Sequence, residues 1–194
     1  YLYTCVVRLM KDGQPVDEVR QRFGVRSFSV DAKQGFFLNG RPYPLHGVSR
    51  HQDRKGLGNA ITREMHDEDM ALIKEIGANT IRLAHYQHDQ YFYDLCDRYG
   101  FYVIDEADLE THGFEWIEKY EWLNEEESWK NAYCDRSSRM VKEHRNHPSI
   151  IMWSLGNESS TGANFDASAA GIRSLDNTRL IHYEGDFEAD ITDV

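Results

Sequence analysis

TIRLAHYQHDQYFYDLCDRYGFYVIDE, residues Thr80–Glu106, is the stretch on which the fold turns. Thr80 to Ala84 is a short apolar run of strand character. Residues 89 to 99 follow another period: Phe92, Leu95, Cys96 and Tyr99 fall at i, i+3, i+4 and i+7, the spacing of one helix face. Asp89 stands before that helix as a cap and Gly100 ends it. Phe101 to Ile104 is apolar again and reads as a strand. Two strands joined by a helical crossover form a parallel pair, because only a long connection returns the chain to the same end.

The unit repeats in both directions. Upstream, Tyr43 to Val48 reads as a strand. Residues 62 to 76 read as a helix with Met65, Leu72, Ile73 and Ile76 on one face and Gly77 closing it. Downstream, a long polar and aromatic loop runs to about residue 127. Trp129, Ala132, Tyr133, Met140 and Val141 mark a helix that ends before Pro148. Ile150 to Leu155 is a strand, Phe165, Ala169, Ile172 and Leu175 mark a further helix, and Leu180 to Tyr183 is a fifth strand. Such alternation predicts an α/β fold with a parallel sheet, open or closed into a barrel. Five units fall short of the eight that close a (β/α)8 barrel, so a barrel here is partial.

The first part of the chain has a different texture. Tyr3 to Met10 is strand-like, and Lys11-Asp12-Gly13-Gln14 supplies turn chemistry. Phe23 to Val30 reads as one strand whose alternation changes phase between Val25 and Phe28, which predicts a bulge. Residues 1–31 are therefore expected to be the last strands of a β-domain, and residues 32–194 the α/β part. Between them, Phe36-Phe37-Leu38 runs into Asn39-Gly40, a strong hairpin signal.

Polar residues follow each predicted strand at its C-terminal end: Ser49-Arg50-His51, then Arg82 with His85-Tyr86, then Asp105, Glu106, Glu110 and His112, then Asn157 and Glu158. A parallel barrel collects those ends on one face, where its active site lies. Glu158, directly after a buried strand, has two readings. One is a proton donor held between an apolar wall and a cleft. The other is a carboxylate stabilised by the dipole of the helix that begins near Gly162. Glu110-Thr111-His112 offers oxygen and imidazole ligands that suit Mg²⁺ or Mn²⁺, or is simply a polar loop. His51 and His85 are further ligands or donors to substrate hydroxyls.

The bulk properties exclude some classes. A composition of 40% hydrophobic and 12% aromatic residues belongs to a globular chain rather than a disordered one. With 22 basic against 33 acidic residues and no basic run, nucleic acid is not an expected partner. No run is long and apolar enough to span a membrane, so no membrane partner is expected either. Three widely spaced cysteines, Cys5, Cys96 and Cys134, suggest neither a disulfide framework nor a zinc ribbon. The chain opens on Tyr1 rather than Met, so its natural start is expected upstream. Its compartment, cytoplasmic or periplasmic, stays open.

Several stretches resemble a known family. Asn146-His147-Pro148-Ser149-Ile150-Ile151-Met152-Trp153-Ser154-Leu155-Gly156-Asn157-Glu158-Ser159 resembles the acid/base signature of glycoside hydrolase family 2. Asp105-Glu106-Ala107-Asp108-Leu109-Glu110-Thr111-His112-Gly113 resembles its β-galactosidase branch. Leu95 to Gly100, Phe23 to Arg26 and His46 to His51 are similar to further family stretches in the same order. The resemblance implies the end of an immunoglobulin-like β-sandwich followed by the first part of a catalytic TIM barrel. It implies hydrolysis of terminal β-D-galactosides with retention, and a homo-oligomeric parent enzyme. It gives Glu158 the acid/base role and Asn157 a bond to the sugar 2-hydroxyl. His51, Arg82 and His85 fall at positions around the sugar. Glu110, His112 and Glu158 match Mg²⁺ ligands. The nucleophile, a glutamate after a seventh strand, has no counterpart here. Ala84-His85-Tyr86-Gln87 also departs from the family's Ser-His-Tyr-Pro. The alternatives are a β-glucuronidase or β-mannosidase of the same family, a metal-dependent barrel hydrolase using His51, His85, Glu110 and His112, and a carbohydrate-binding module.

Overall fold

The computed structural model describes residues Tyr1–Val194. Strands β1 (Leu2–Lys11) and β2 (Gln14–Gly24) form an antiparallel hairpin. Asp12 and Gly13 turn it with φ of 50° and 77°, the left-handed pair that a two-residue hairpin turn requires. The bulged strand predicted over Phe23–Val30 is not formed. Strand β2 ends at Gly24, and Phe28–Asp31 is a separate strand, β3, in another sheet. The ladder irregularity lies at Leu9/Met10 instead. The break has a cause: Arg26 leaves the ladder and donates through Nη2 to the Ile150 carbonyl at 2.7 Å. That bond ties the hairpin to the α/β part.

Strand β3 pairs with β4 (Gly35–Leu38), which pairs with β5 (Arg41–Pro42) through the Asn39-Gly40 turn. This small sheet spans both sides of residue 31. Phe28 and Phe36 stack at 6.0 Å and pack with Ile151 and Met152 beneath the larger sheet.

The larger sheet carries five parallel strands: β6 (Gly47–Arg50), β7 (Thr80–Leu83), β8 (Tyr102–Glu106), β9 (Ile150–Ser154) and β10 (Leu180–His182). Their spatial order is their chain order, and each new strand joins the same edge. A doubly wound sheet would reverse at a switch point. This one never does, so it is an arc of a (β/α) barrel.

Strand β6 begins four residues later than predicted. Pro44 has no N–H to give a ladder, and the Asn79 side chain ties this segment instead, accepting from His46 N and donating to the Pro44 carbonyl, both at 2.8 Å. The predicted loop before residue 127 also contains structure: a 3-10 turn at His112–Ile117 and a short helix, α3 (Trp122–Glu125).

The strands alternate, apart from a register shift where Ile151 is the extra residue between the Val103–Ile150 and Ile104–Met152 pairs. Ile81, Leu83, Val103, Trp153 and Ile181 enter the core shared with helices α1 (Arg63–Glu75), α2 (Gln90–Tyr99), α4 (Lys130–His144) and α5 (Ala163–Leu175). Arg82, Glu106, Ser154 and His182 therefore point into the barrel. In α2, Asp89 caps as predicted, its carboxylate accepting from Tyr91 N, and Gly100 closes the helix at φ 79°. The apolar face predicted for α1 is only partly used. His66, Met70 and Ile73 are buried, but Leu72 and Ile76 are 60% and 69% exposed. They flank strand β6, which pairs on one side only. Strand β10 is the other open edge. No helix is long and apolar enough to cross a membrane.

Two consequences can be measured. Exposed apolar positions beside unpaired strand edges favour self-association. The 194-residue polypeptide alone is expected to elute as aggregate in size-exclusion chromatography, and Leu72→Glu with Ile76→Lys to shift it toward monomer. The second concerns acid. Arg50 Nη1 lies 2.9 Å from His88 Nδ1, and burial, then the Arg50 charge, pulls His88 from 6.5 down to about 3. The unfolded imidazole takes a proton near pH 6.5 and the folded one does not, so stability is full above that pH and falls as pH drops toward 3. The slope from this group approaches about 1.4 kcal/mol per pH unit. Urea midpoints between pH 7 and about 4 should fall, and should fall less steeply in His88→Gln.

Candidate active site

The pairing of β8 with β9 does not stop at the strand ends. Asn157 N donates to the Leu109 carbonyl at 2.8 Å, and Glu110 and Asn157 form a parallel bridge. Thr111 N then donates to Ser159 Oγ at 2.7 Å. The two loops run side by side, which brings Glu110 and His112 to Glu158. One donor atom from each of the three lies within 4.8 Å of the others. His112 Nδ1 is 2.6 Å from Glu158 Oε2, and His112 Nε2 is 3.0 Å from Glu115 Oε2. Hydrogen bonding to Glu158, with a smaller contribution from Glu115, pushes the His112 imidazole above its usual range.

Glu158 departs from the predicted setting. Its side chain is 49% exposed within these 194 residues, rather than set against an apolar wall of the five strands. The rival reading as a helix-end carboxylate also fails. Helix α5 takes its anion from Glu125, whose Oε1 accepts from Ala163 N at 3.2 Å. The Glu158 backbone sits at φ 33°, in the left-handed region that non-glycine residues rarely visit. It is held there by the two residues that follow β10. Glu158 N donates to Glu184 Oε1 at 2.5 Å, Ser159 N donates to Tyr183 Oη at 3.1 Å, and Tyr183 Oη donates to the Ser160 carbonyl at 2.6 Å.

The second group of predicted residues gathers on Glu106, which is fully buried. Arg82 Nε donates to Glu106 Oε2 at 2.6 Å and Ser154 Oγ to the same oxygen at 2.8 Å. His85 Nδ1 lies 2.6 Å from Glu106 Oε1. Arg82 Nη2 reaches on to Asn157 Oδ1 at 3.0 Å, linking this group to the Glu158 loop. His51 packs edge-on to His85, with ring centres 5.0 Å apart. His182 Nδ1 lies 3.1 Å from Ser154 Oγ, and burial, then the charge of Arg82, pulls His182 down to about 4.

All seven predicted residues thus stand on one rim, but in two groups. Glu110, His112 and Glu158 form one, and neither His51 nor His85 joins it. That removes the metal centre built on His51, His85, Glu110 and His112. The sequence reading left Glu106, Ser154, His182 and Glu184 without a role. A period-2 count along each strand, which puts Arg82 and Glu106 on one face, would have found the first.

Comparison with known proteins decides the family. The profile of the glycosyl hydrolases family 2, TIM barrel domain, matches residues 29–194. The chain belongs to glycosyl hydrolase family 2. It is 41% identical over 187 residues to a β-galactosidase of Pectobacterium atrosepticum and 40% identical over 187 residues to one of Vibrio cholerae. Each match covers 95% of this chain and 18% of the relative, so the chain spans under a fifth of the length of those enzymes. Among solved structures, the apo β-glucuronidase 3 of Bacteroides uniformis matches with a TM-score of 0.81 and 35% identity. It covers 99% of this chain and 25% of its own. The β-glucuronidase of Parabacteroides merdae matches with a TM-score of 0.81 and 29% identity, over 99% of this chain and 25% of its own.

Gly156 makes the loop crossing possible. It sits at φ 153°, and a Cβ there would lie 2.6 Å from the Leu109 carbonyl oxygen. Gly156→Ala in this family 2 segment is expected to cost about 3 kcal/mol from strain and overpacking, read as a drop in the thermal midpoint.

Proposed function

We propose that this segment supplies the acid/base half of a retaining β-galactosidase. The observation that carries the reading is Glu158 at the C-terminal end of β9, beside Asn157 and paired with His112 at 2.6 Å. In the first step, Glu158 gives its proton to the glycosidic oxygen as the C1–O bond breaks, and a carboxylate from outside these residues forms the bond to C1. In the second, Glu158 takes a proton from water as that water attacks C1 and releases the carboxylate. Asn157 donates to the sugar 2-hydroxyl. Arg82, His85 and His51 line the sugar pocket around it.

Glu110, His112 and Glu158 fit Mg²⁺ by their donor set, two carboxylates and one imidazole converging within 4.8 Å. Such an ion, when bound, adds positive charge beside Glu158 and steadies its orientation. His112 would coordinate through a neutral ring nitrogen, giving up its proton. A β-glucuronidase is the second reading, favoured by the backbone match to the Bacteroides uniformis and Parabacteroides merdae enzymes. The higher identity to β-galactosidases places it second.

The test uses a full-length polypeptide that carries these residues. It should hydrolyse an aryl β-galactoside faster than the matching glucuronide or mannoside. Glu158→Gln should lower kcat/KM by about 10³-fold. A variant that keeps wild-type activity ends the role given to Glu158. Chelation should slow turnover and added Mg²⁺ restore it, and a rate that ignores both makes Glu110 and His112 a structural loop.

A further inference from the structure

We propose that Glu106 is the positioning residue of this site, fixing which hydrogen-bonding atoms His85 and Asn157 present to the sugar. The proposal rests on the reading of those two residues as sugar-binding groups, and adds how they are set. Glu106 is fully buried, at the end of β8 with its side chain inside the barrel. Its carboxylate is paired with Arg82 and surrounded by three donors: Arg82 Nε at 2.6 Å, His85 Nδ1 at 2.6 Å and Ser154 Oγ at 2.8 Å. Its backbone carbonyl is taken as well, by Gln87 Nε2 at 2.9 Å.

The consequences follow from donor and acceptor inventories. An ionised carboxylate only accepts, so His85 must carry its proton on Nδ1. In the neutral ring that leaves Nε2 as an acceptor for a substrate hydroxyl. Arg82 only donates. Anchored by Nε on Glu106, it directs Nη2 to Asn157 at 3.0 Å. Asn157 must answer with Oδ1, which turns its NH₂ group away from Arg82 and makes it a donor. The site then offers one acceptor and one donor in fixed places. Glu106 touches neither substrate nor reacting atoms in this scheme. It acts through Arg82 and His85.

Glu106→Gln keeps the shape and removes the logic. Its single oxygen can serve Arg82 and Ser154, but its NH₂ then faces His85 Nδ1 and forces the proton to Nε2. The site loses its acceptor and Arg82 loses its charge partner. In the full-length polypeptide, kcat/KM should fall on the order of 10- to 100-fold, as for other groups that orient active-site residues. Effects that run through one network are not additive. In an Asn157→Ala background, the further loss caused by Glu106→Gln should therefore shrink several-fold. A merely structural Glu106 gives the same fold-loss in both backgrounds, and that result overturns the proposal, as does a variant within twofold of wild type. Neutron diffraction of the unsubstituted full-length protein tests it without any variant. A proton on His85 Nδ1 and Asn157 Oδ1 facing Arg82 are expected, and a proton on Nε2 alone overturns it. The cycle is run on whichever aryl β-glycoside the wild type cleaves, so a wrong sugar assignment leaves it readable. If no glycoside is cleaved, the acid/base reading fails while the neutron result still judges Glu106.

Discussion

The hydrogen bond from Asn157 N to the Leu109 carbonyl decides where the chemistry stands. At 2.8 Å it continues the β8–β9 ladder past both strand ends. Without it, Glu110 and His112 would belong to a long free loop, and Glu158 would lie well apart from them in space. With it, residues nearly fifty positions apart become neighbours. The bond needs close backbone approach, and Gly156 is the residue that permits it. The left-handed backbone of Glu158 follows directly, because the chain must turn sharply after Asn157 to leave the ladder. Tyr183 and Glu184 then brace that turn from the next strand. Three adjacent barrel strands thus build the rim together. Strand β8 leads to Glu110 and His112, β9 to Glu158 and β10 to the brace.

Alternation along the strands separates two polar networks that the sequence places side by side. Asp105 and Glu106 are consecutive, both fully buried, and face opposite ways. Asp105 looks toward the helices, accepting from Tyr93 Oη at 2.7 Å and lying 2.7 Å from His144 Nδ1. Those bonds lock α2 and α4 onto the sheet. Glu106 looks inward and orders the rim. Buried carboxylates are tolerated only when their acceptor sites are filled, and each of these is filled by the layer it serves.

The sequence was most legible where period and function agreed. Helix α2 could be read from Phe92, Leu95 and Cys96 and its two caps, and the C-terminal rim from its repeated polar residues. It was least legible where a side chain replaced a backbone partner. Strand β6 starts late because Asn79 binds the backbone around Pro44. The Phe23–Val30 run breaks because Arg26 turns to Ile150. Neither long-range bond leaves a local trace. The apolar face of α1 is only partly covered for another reason: Leu72 and Ile76 flank the side of β6 that has no paired strand within these residues. For the site, motif and spacing indicated the seven rim residues, whereas strand periodicity could place Glu106 inside the barrel and only its contacts show what it holds.

Glu106 and Glu158 show why residue type alone could not assign roles. Both are glutamates at the C-terminal end of a barrel strand, each within 2.6 Å of a histidine nitrogen. Glu106 has three donors on two oxygens and no exposure, so its carboxylate is committed to the groups around it. Glu158 is half exposed, and its carboxylate has one close partner, His112. A residue that must alternate between acid and base needs a free lone pair and access to the cleft, and a residue that must hold others still needs neither. Hydrogen-bond occupancy, rather than position along the chain, is what sets Glu158 apart from Glu106.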